Sequence, residues 1–141
     1  MATLTPKLTL VGKADDFGDA INLAVTVSGG LTVAQPYVGF SKTAAAANGG
    51  SLVEIKPTGS ANQYLYVKHT GKQSDGSTAT TNQLGVYFTG VDTDTDTNTI
   101  ESLRLAANEW AFMPVKSNVV AKVLSSSSHT IQVEYAYFTA G

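Results

Sequence analysis

A run of alternating carboxylates, at Asp92, Asp94 and Asp96, is the first stretch whose residue types and spacing could do chemistry. Its oxygens would lie on one side of an extended chain or surround a cation in a curled one. The run matches the first three ligand positions of an EF-hand calcium loop, but Thr97 stands where that loop needs glycine and Leu103 where it needs glutamate. Two interpretations remain, a bound calcium ion and a solvated loop. The second fits the pattern better, so we predict no metal site.

The two histidines, His69 and His129, are the other side chains that commonly bind metals. No His-x-His or Glu-x-x-His spacing brings them onto one face of an element. His69 ends one predicted strand, and His129 precedes another after four consecutive serines. We therefore interpret both as surface positions at strand ends.

The carboxylates and serines are the side chains that could act in catalysis. Glu54, Glu101, Glu109 and Glu134 lie on or next to predicted strands, and two of them could form the carboxylate pair of a glycoside hydrolase. No Gly-x-Ser-x-Gly motif is present, and Gly71–Gly76 lacks the spacing and the following helix of a phosphate-binding loop. We predict no catalytic residue and no cofactor, and we predict that the chain is not an enzyme.

The composition disfavours two classes of binding partner, nucleic acids and membranes. The 141 residues are 43% hydrophobic and only 14% charged, with a net charge of -2 and scattered basic residues, which disfavours binding to nucleic acid. There is no cysteine, no signal-peptide pattern at the start and no run long enough to span a bilayer. We expect a protein that is made in a cytoplasm and does not bind membranes.

Apolar and polar residues alternate along most of the chain, a pattern typical of β-strands with one buried face. The alternation is clearest at Ala20–Val27 and Ile131–Phe138, and it recurs at Thr3–Val11 and Gln83–Thr89. About nine such segments, separated by turn-forming residues, predict an all-β fold. We expect one antiparallel β-sandwich of about eight or nine strands, occupying residues 1–141 as a single domain.

Local patterns add detail to this sandwich. Ser51–Lys56 and Asn62–His69 are predicted to pair as neighbouring strands around the turn Pro57–Ser60. Almost no helix is expected: Ala44–Ala47 is the one weakly helical stretch, because its alanines precede the helix-stop sequence Asn48-Gly49-Gly50.

The last third of the chain is predicted to form the centre of the core. Leu103 and Leu105 share one strand face, and Trp110 and Phe112 share a face on the strand that returns. We expect both aromatic side chains to be buried against the leucines and the Ile131–Tyr137 strand. Any aromatics that remain exposed on one face would form a stacking platform for sugars or an anchor for a protein interface.

The segments Leu103–Val115 (LRLAANEWAFMPV) and Ile131–Phe138 (IQVEYAYF) resemble the small virion structural proteins of tailed bacteriophages, as does the start of the chain, Met1–Leu10. Asn108 occupies a position where those proteins commonly have glycine, and asparagine tolerates the same turn conformation. The resemblance implies a capsid decoration or cement protein with a jelly-roll-like sandwich. It also implies a homotrimer on the capsid surface of the virion, with the major capsid protein as partner.

Two functions follow from these observations. The first is a non-enzymatic virion structural protein that stabilises the phage head by binding the shell as an oligomer. The alternative is a carbohydrate-binding or host-recognition β-sandwich in a tail or fibre. The first is preferred, because the chain has low charge, abundant threonine and serine, and no catalytic cluster in its sequence.

Overall fold

The computed structural model describes residues 2–5, 7–11, 24–28, 31–90 and 99–140. These ranges contain eleven β-strands and no helix. The strands are β1 (Ala2–Leu4), β2 (Lys7–Val11), β3 (Ala24–Ser28), β4 (Leu31–Ala45), β5 (Val53–Lys56), β6 (Gln63–Gln73), β7 (Leu84–Gly90), β8 (Thr99–Leu105), β9 (Trp110–Val115), β10 (Val119–Ser125) and β11 (Ile131–Ala140). The prediction of an all-β fold is confirmed.

The chain divides into two compact units. The first comprises Met1–Gln35 with Ala140–Gly141, and its described strands are β1, β2, β3 and the beginning of β4. Within it, β2 and β3 form an antiparallel two-stranded sheet, and β1 pairs with the first residues of β4. The second unit comprises Pro36–Thr139. The prediction that residues 1–141 form one domain stays a prediction.

The second unit is a sandwich of two antiparallel four-stranded sheets. Sheet 1 has the order β4-β11-β6-β9 and sheet 2 the order β5-β10-β7-β8. Most consecutive strands of this unit therefore lie in opposite sheets, and among its described strands only β7 and β8 are neighbours in both sequence and space. This strand order is that of a jelly roll, in which two Greek keys enclose one core. The predicted antiparallel sandwich of jelly-roll type, with eight or nine strands, is confirmed.

The core lies between the two sheets and is formed by every second side chain of their strands. In β6, Leu65 and Val67 are fully buried while their neighbours are partly exposed. Sheet 2 contributes Val86 and Val123, which are direct partners in the β7–β10 pair and are also fully buried. One face of each sheet is thus used by the core, and the other faces outward.

The predicted pairing of Ser51–Lys56 with Asn62–His69 is wrong. β5 pairs with β10 in sheet 2, whereas β6 pairs with β11 and β9 in sheet 1. The turn Pro57–Ser60 therefore crosses from one sheet to the other. The end of β5 is held by the buried Lys56, whose Nζ donates to the Val119 carbonyl at 2.6 Å, and burial lowers the pKa of this amine.

The weakly helical stretch Ala44–Ala47 forms no helix. β4 continues through Ala45, which is fully buried, and Ala46 forms an isolated bridge to Leu124. The helix-stop residues that follow do end an element, since Gly49 takes a φ of 87° in the turn after the strand. Here a strand ends where the sequence predicted the end of a helix, because burial of Ala45 outweighs the helical preference of alanine.

The predicted burial of Trp110 and Phe112 is wrong, because the other set of alternating residues in β9 faces the core. Ala111, Met113 and Val115 face the core, so that the two aromatic residues face outward. Trp110 is 52% exposed. The prediction had the right alternation and the wrong side, because a strand with apolar residues on both faces does not show in its sequence which face is inside.

We expect Leu65→Ala to lower the free energy of unfolding by about 2–5 kcal/mol, because it empties space in a filled core. Trp110→Ala should cost about 1 kcal/mol or less, since only an exposed aromatic contact is lost. Urea denaturation of both variants checks this order. A Trp110→Ala loss as large as that of Leu65→Ala would contradict the outward position of the indole.

Candidate functional site

The outer surface of sheet 1 carries a cluster of aromatic side chains, here called the aromatic face: Tyr64 and Tyr66 of β6 and Trp110 and Phe112 of β9. The strands pair antiparallel, with Tyr66 opposite Phe112. Since Leu65 and Val67 point into the core, the two tyrosines point outward, on the same side as the two aromatics of β9. Strand parity and register together gather four rings on one surface.

The rings pack against each other diagonally across the two strands. The Tyr64 and Phe112 rings are stacked, with centroids 5.8 Å apart and planes 10° from parallel. The Tyr66 and Trp110 rings are 6.4 Å apart and tilted by 37°. Both distances fall in the favourable range for aromatic pairs, so the surface is ordered before any partner binds.

A polar rim borders the aromatic face on the side of β11. The Tyr66 hydroxyl donates to Glu134 Oε1 at 3.1 Å. Burial, and then this hydrogen bond, raises the pKa of Tyr66 to about 12. Lys68 lies between Trp110 and Glu134 in the strand register. An apolar centre with charges of both signs at its rim is the usual arrangement of a protein interface.

The edge of sheet 1 beside this face is protected. β9 is the terminal strand of the sheet, and it contains Pro114 opposite Tyr64. Proline has no N–H to donate, so an incoming strand would find an interrupted ladder. The side chains of the aromatic face, rather than the backbone edge, are therefore the feature available for contact.

The four candidate carboxylates lie on different elements and are not arranged as a catalytic pair. Glu101 accepts hydrogen bonds from Arg104 and Tyr87 on sheet 2, and the Arg104 guanidinium holds the pKa of that carboxyl below its usual value. Glu109 accepts from the Ala106 amide at 2.7 Å in the turn between β8 and β9. Glu134 accepts from Tyr66 on sheet 1, and Glu54 is exposed on β5. Three of the four thus have structural partners.

The prediction that both histidines lie at the surface is right for His129 and wrong for His69. His69 is fully buried. Its Nδ1 accepts from the Gly71 amide at 2.9 Å, so Nε2 is the nitrogen that donates to the Asn82 carbonyl at 2.7 Å. Both ring nitrogens are thus engaged in the fold. Among the residues that the structure describes, no group of three or more metal-binding side chains is gathered.

The polar segment that superficially resembles a phosphate loop is an ordered turn. The Asp75 carboxylate accepts from the amides of Ser77 and Thr78, each at 2.8 Å. Hydrogen bonds from Thr78 and then Ser77 lower the pKa of Asp75 to about 2. The segment thus satisfies its own polar groups. The Asp92, Asp94 and Asp96 run lies outside the described residues.

No protein-family model and no curated protein matches the chain. Among solved structures, one similar chain comes from Bacillus endospore appendages, which form a family of disulfide-linked pili. The two chains are 18% identical, with a TM-score of 0.46 and coverage of 85% of this chain and 99% of that one. Similarity at this level supports no transfer of function. In the described part of the chain, no helix is long and apolar enough to cross a membrane.

We expect His69→Leu to lower the free energy of unfolding by about 2–4 kcal/mol, because the Gly71 amide and the Asn82 carbonyl lose their partner inside the protein. His129→Leu is the matched control. Its exposed side chain should change stability by about 0.5 kcal/mol or less. Equal stability of the two variants in urea would refute the structural role of His69.

The raised pKa of Tyr66 gives a pH dependence with a definite sign. The stabilisation is complete below pH 10, where the unfolded tyrosine is protonated, and is lost as pH rises through about 12. The difference is at most about 2.7 kcal/mol, and less for a hydroxyl partly open to solvent. We expect Tyr66→Phe to lose this part of the alkaline decline in unfolding free energy. Glu134→Gln should reduce it, and a decline unchanged in both variants would contradict the assignment.

Proposed function

We propose that this chain is a non-enzymatic virion structural protein of a tailed bacteriophage, a decoration or cement protein of the capsid surface. It acts as a homo-oligomer, most simply a trimer, that lies on the shell formed by the major capsid protein. The aromatic face is the observation that carries this proposal, and its role is to be buried between subunits. Neither nucleic acid nor a membrane is a partner.

The chemistry of the aromatic face supports a protein contact. Tyrosine and tryptophan dominate the binding energy of protein interfaces, and apolar patches with a polar rim mark such sites on soluble proteins. A flat sheet surface offers area without a cleft.

Self-association is the simplest way to cover this surface. Identical subunits close under point symmetry, and each copy supplies the same aromatic face. Pro114 discourages open-ended strand pairing at the adjacent edge. A closed oligomer of this kind suits the threefold positions of an icosahedral shell, as the resemblance to decoration proteins implies.

Sedimentation of the purified chain at high micromolar concentration tests the proposal. We expect an oligomer, with a trimer having three times the 14.7 kDa mass of one chain. The oligomer should co-sediment with phage heads assembled without it. Trp110→Ser should shift the equilibrium towards monomer by about tenfold or more, as expected for an interface hot spot.

The matched control is Ile100→Ser, which removes another exposed apolar side chain, 63% exposed, from β8 of sheet 2. This variant should assemble like the parent. A parent chain that is strictly monomeric and does not bind heads would refute the proposal, as would equal loss of assembly in the two variants.

A further inference from the structure

A groove on the outer surface of sheet 2 lies on the sheet opposite the aromatic face, and we propose that it binds a single neutral saccharide unit. The groove encloses about 140 Å³. Its lining includes Asn48, Gly85, Tyr87, Glu101, Arg104 and Leu124. The proposal does not rest on the virion function, since the groove belongs to one chain and is complete without a partner.

The groove exists because a glycine occupies the middle of three paired strands. Gly85 of β7 lies opposite Arg104 of β8 on one side and Leu124 of β10 on the other. The missing side chain leaves room between these two neighbours for the Tyr87 ring, which lines the groove. The Tyr87 ring reaches over Gly85, and a Cβ on the glycine would come within 2.8 Å of Tyr87 Cε2. Any larger residue would displace the ring that forms the wall.

The two charged groups of the groove, the Arg104 guanidinium and the Glu101 carboxylate, form an ion pair. Arg104 donates to Glu101 through Nε and, at 2.8 Å, through Nη2, and the Tyr87 hydroxyl donates to the same carboxylate at 2.9 Å. The carboxylate thus accepts three hydrogen bonds, while the guanidinium keeps N–H groups that are not used in this ion pair. The exposed Asn48 adds an amide that both donates and accepts at the rim.

This arrangement selects the chemistry of the ligand. An anion would meet the Glu101 carboxylate and a cation the Arg104 guanidinium, so a neutral ligand fits best. Guanidinium and amide groups suit hydroxyls that both donate and accept, and the Tyr87 ring with Leu124 suits an apolar ring face. The volume is well below the roughly 300–1,000 Å³ of drug-sized sites, which limits the ligand to one small unit. A single pyranose meets all these conditions.

The test is a titration of the ¹⁵N-labelled protein with glucose, galactose, mannose and N-acetylglucosamine, followed by amide chemical shifts. We expect at least one sugar to saturate with a Kd of about 1–10 mM, as is reasonable for a small, shallow site. The largest shifts should fall on Gly85, Tyr87, Arg104 and Leu124.

Two variants localise the binding. Leu124→Trp should fill the groove and abolish saturation, whereas Val120→Trp, a slightly larger increase in size on the same face of β10 but outside the groove, should bind like the parent. Arg104→Gln should weaken binding by about tenfold, which corresponds to the loss of one charged donor. If Leu124→Trp does not fold, Arg104→Gln decides, since its side chain is half exposed.

Absence of saturable shifts for all four sugars up to about 100 mM would overturn the inference, since binding weaker than this does not indicate a specific site. So would shifts centred on the aromatic face, or binding that Leu124→Trp leaves intact. A failed sugar titration with an intact oligomer would reject the groove alone, and a monomeric chain that binds sugar in the groove would reject the virion proposal alone.

Discussion

The buried residue His69 holds two of the connections through which the chain passes between the two sheets. His69 bonds through its ring to the Gly71 amide and the Asn82 carbonyl, on the path from β6 to β7. Its backbone bonds to Asn108 and Glu109, on the path from β8 to β9. Asn108 takes a φ of 70° there, and its side chain occupies the space that a Cβ on Gly71 would need. The packing of both sheets over one core depends on these crossings, because each one delivers the next strand to the opposite layer.

The sandwich leaves two outer surfaces with different chemistry. On sheet 1 the residues alternating with Leu65 and Val67 are aromatic, and they make a flat, ordered apolar surface. On sheet 2 the corresponding positions include a glycine flanked by an ion pair, and they make a small depression. The first suits a broad protein contact and the second a small polar ligand. The same alternation that builds the core thus places the strand residues of both candidate sites, and the turn residue Asn48 adds to the rim of the groove.

The sequence predicted the strands far better than their partners. Alternation of side chains is a local property, so the all-β class and most strand positions could be derived from it. Pairing is not local: the turn at Pro57–Ser60 has the composition of a hairpin, yet it joins strands of different sheets. The prediction of which face of β9 is buried failed at Trp110 for a related reason, because the packing of the whole sheet decides which face is inside. His69 shares its strand face with Leu65 and Val67, but β6 carries apolar residues on both faces, so its sequence did not show that this face is inside. The groove at Gly85 depends on the pairing of three strands.

The placement of β10 and β11 also bears on how the protein is made. Both strands come late in the chain, and both lie in the interior of their sheets, β10 between β5 and β7 and β11 between β4 and β6. The ribosome therefore synthesises β4 to β9 before either sheet can be completed. Until then, the strands that flank β10 and β11 have unpaired edges. Such long-range pairing slows folding and exposes intermediates to aggregation. During synthesis, the pairing of β10 and β11 therefore competes with association between incompletely folded chains.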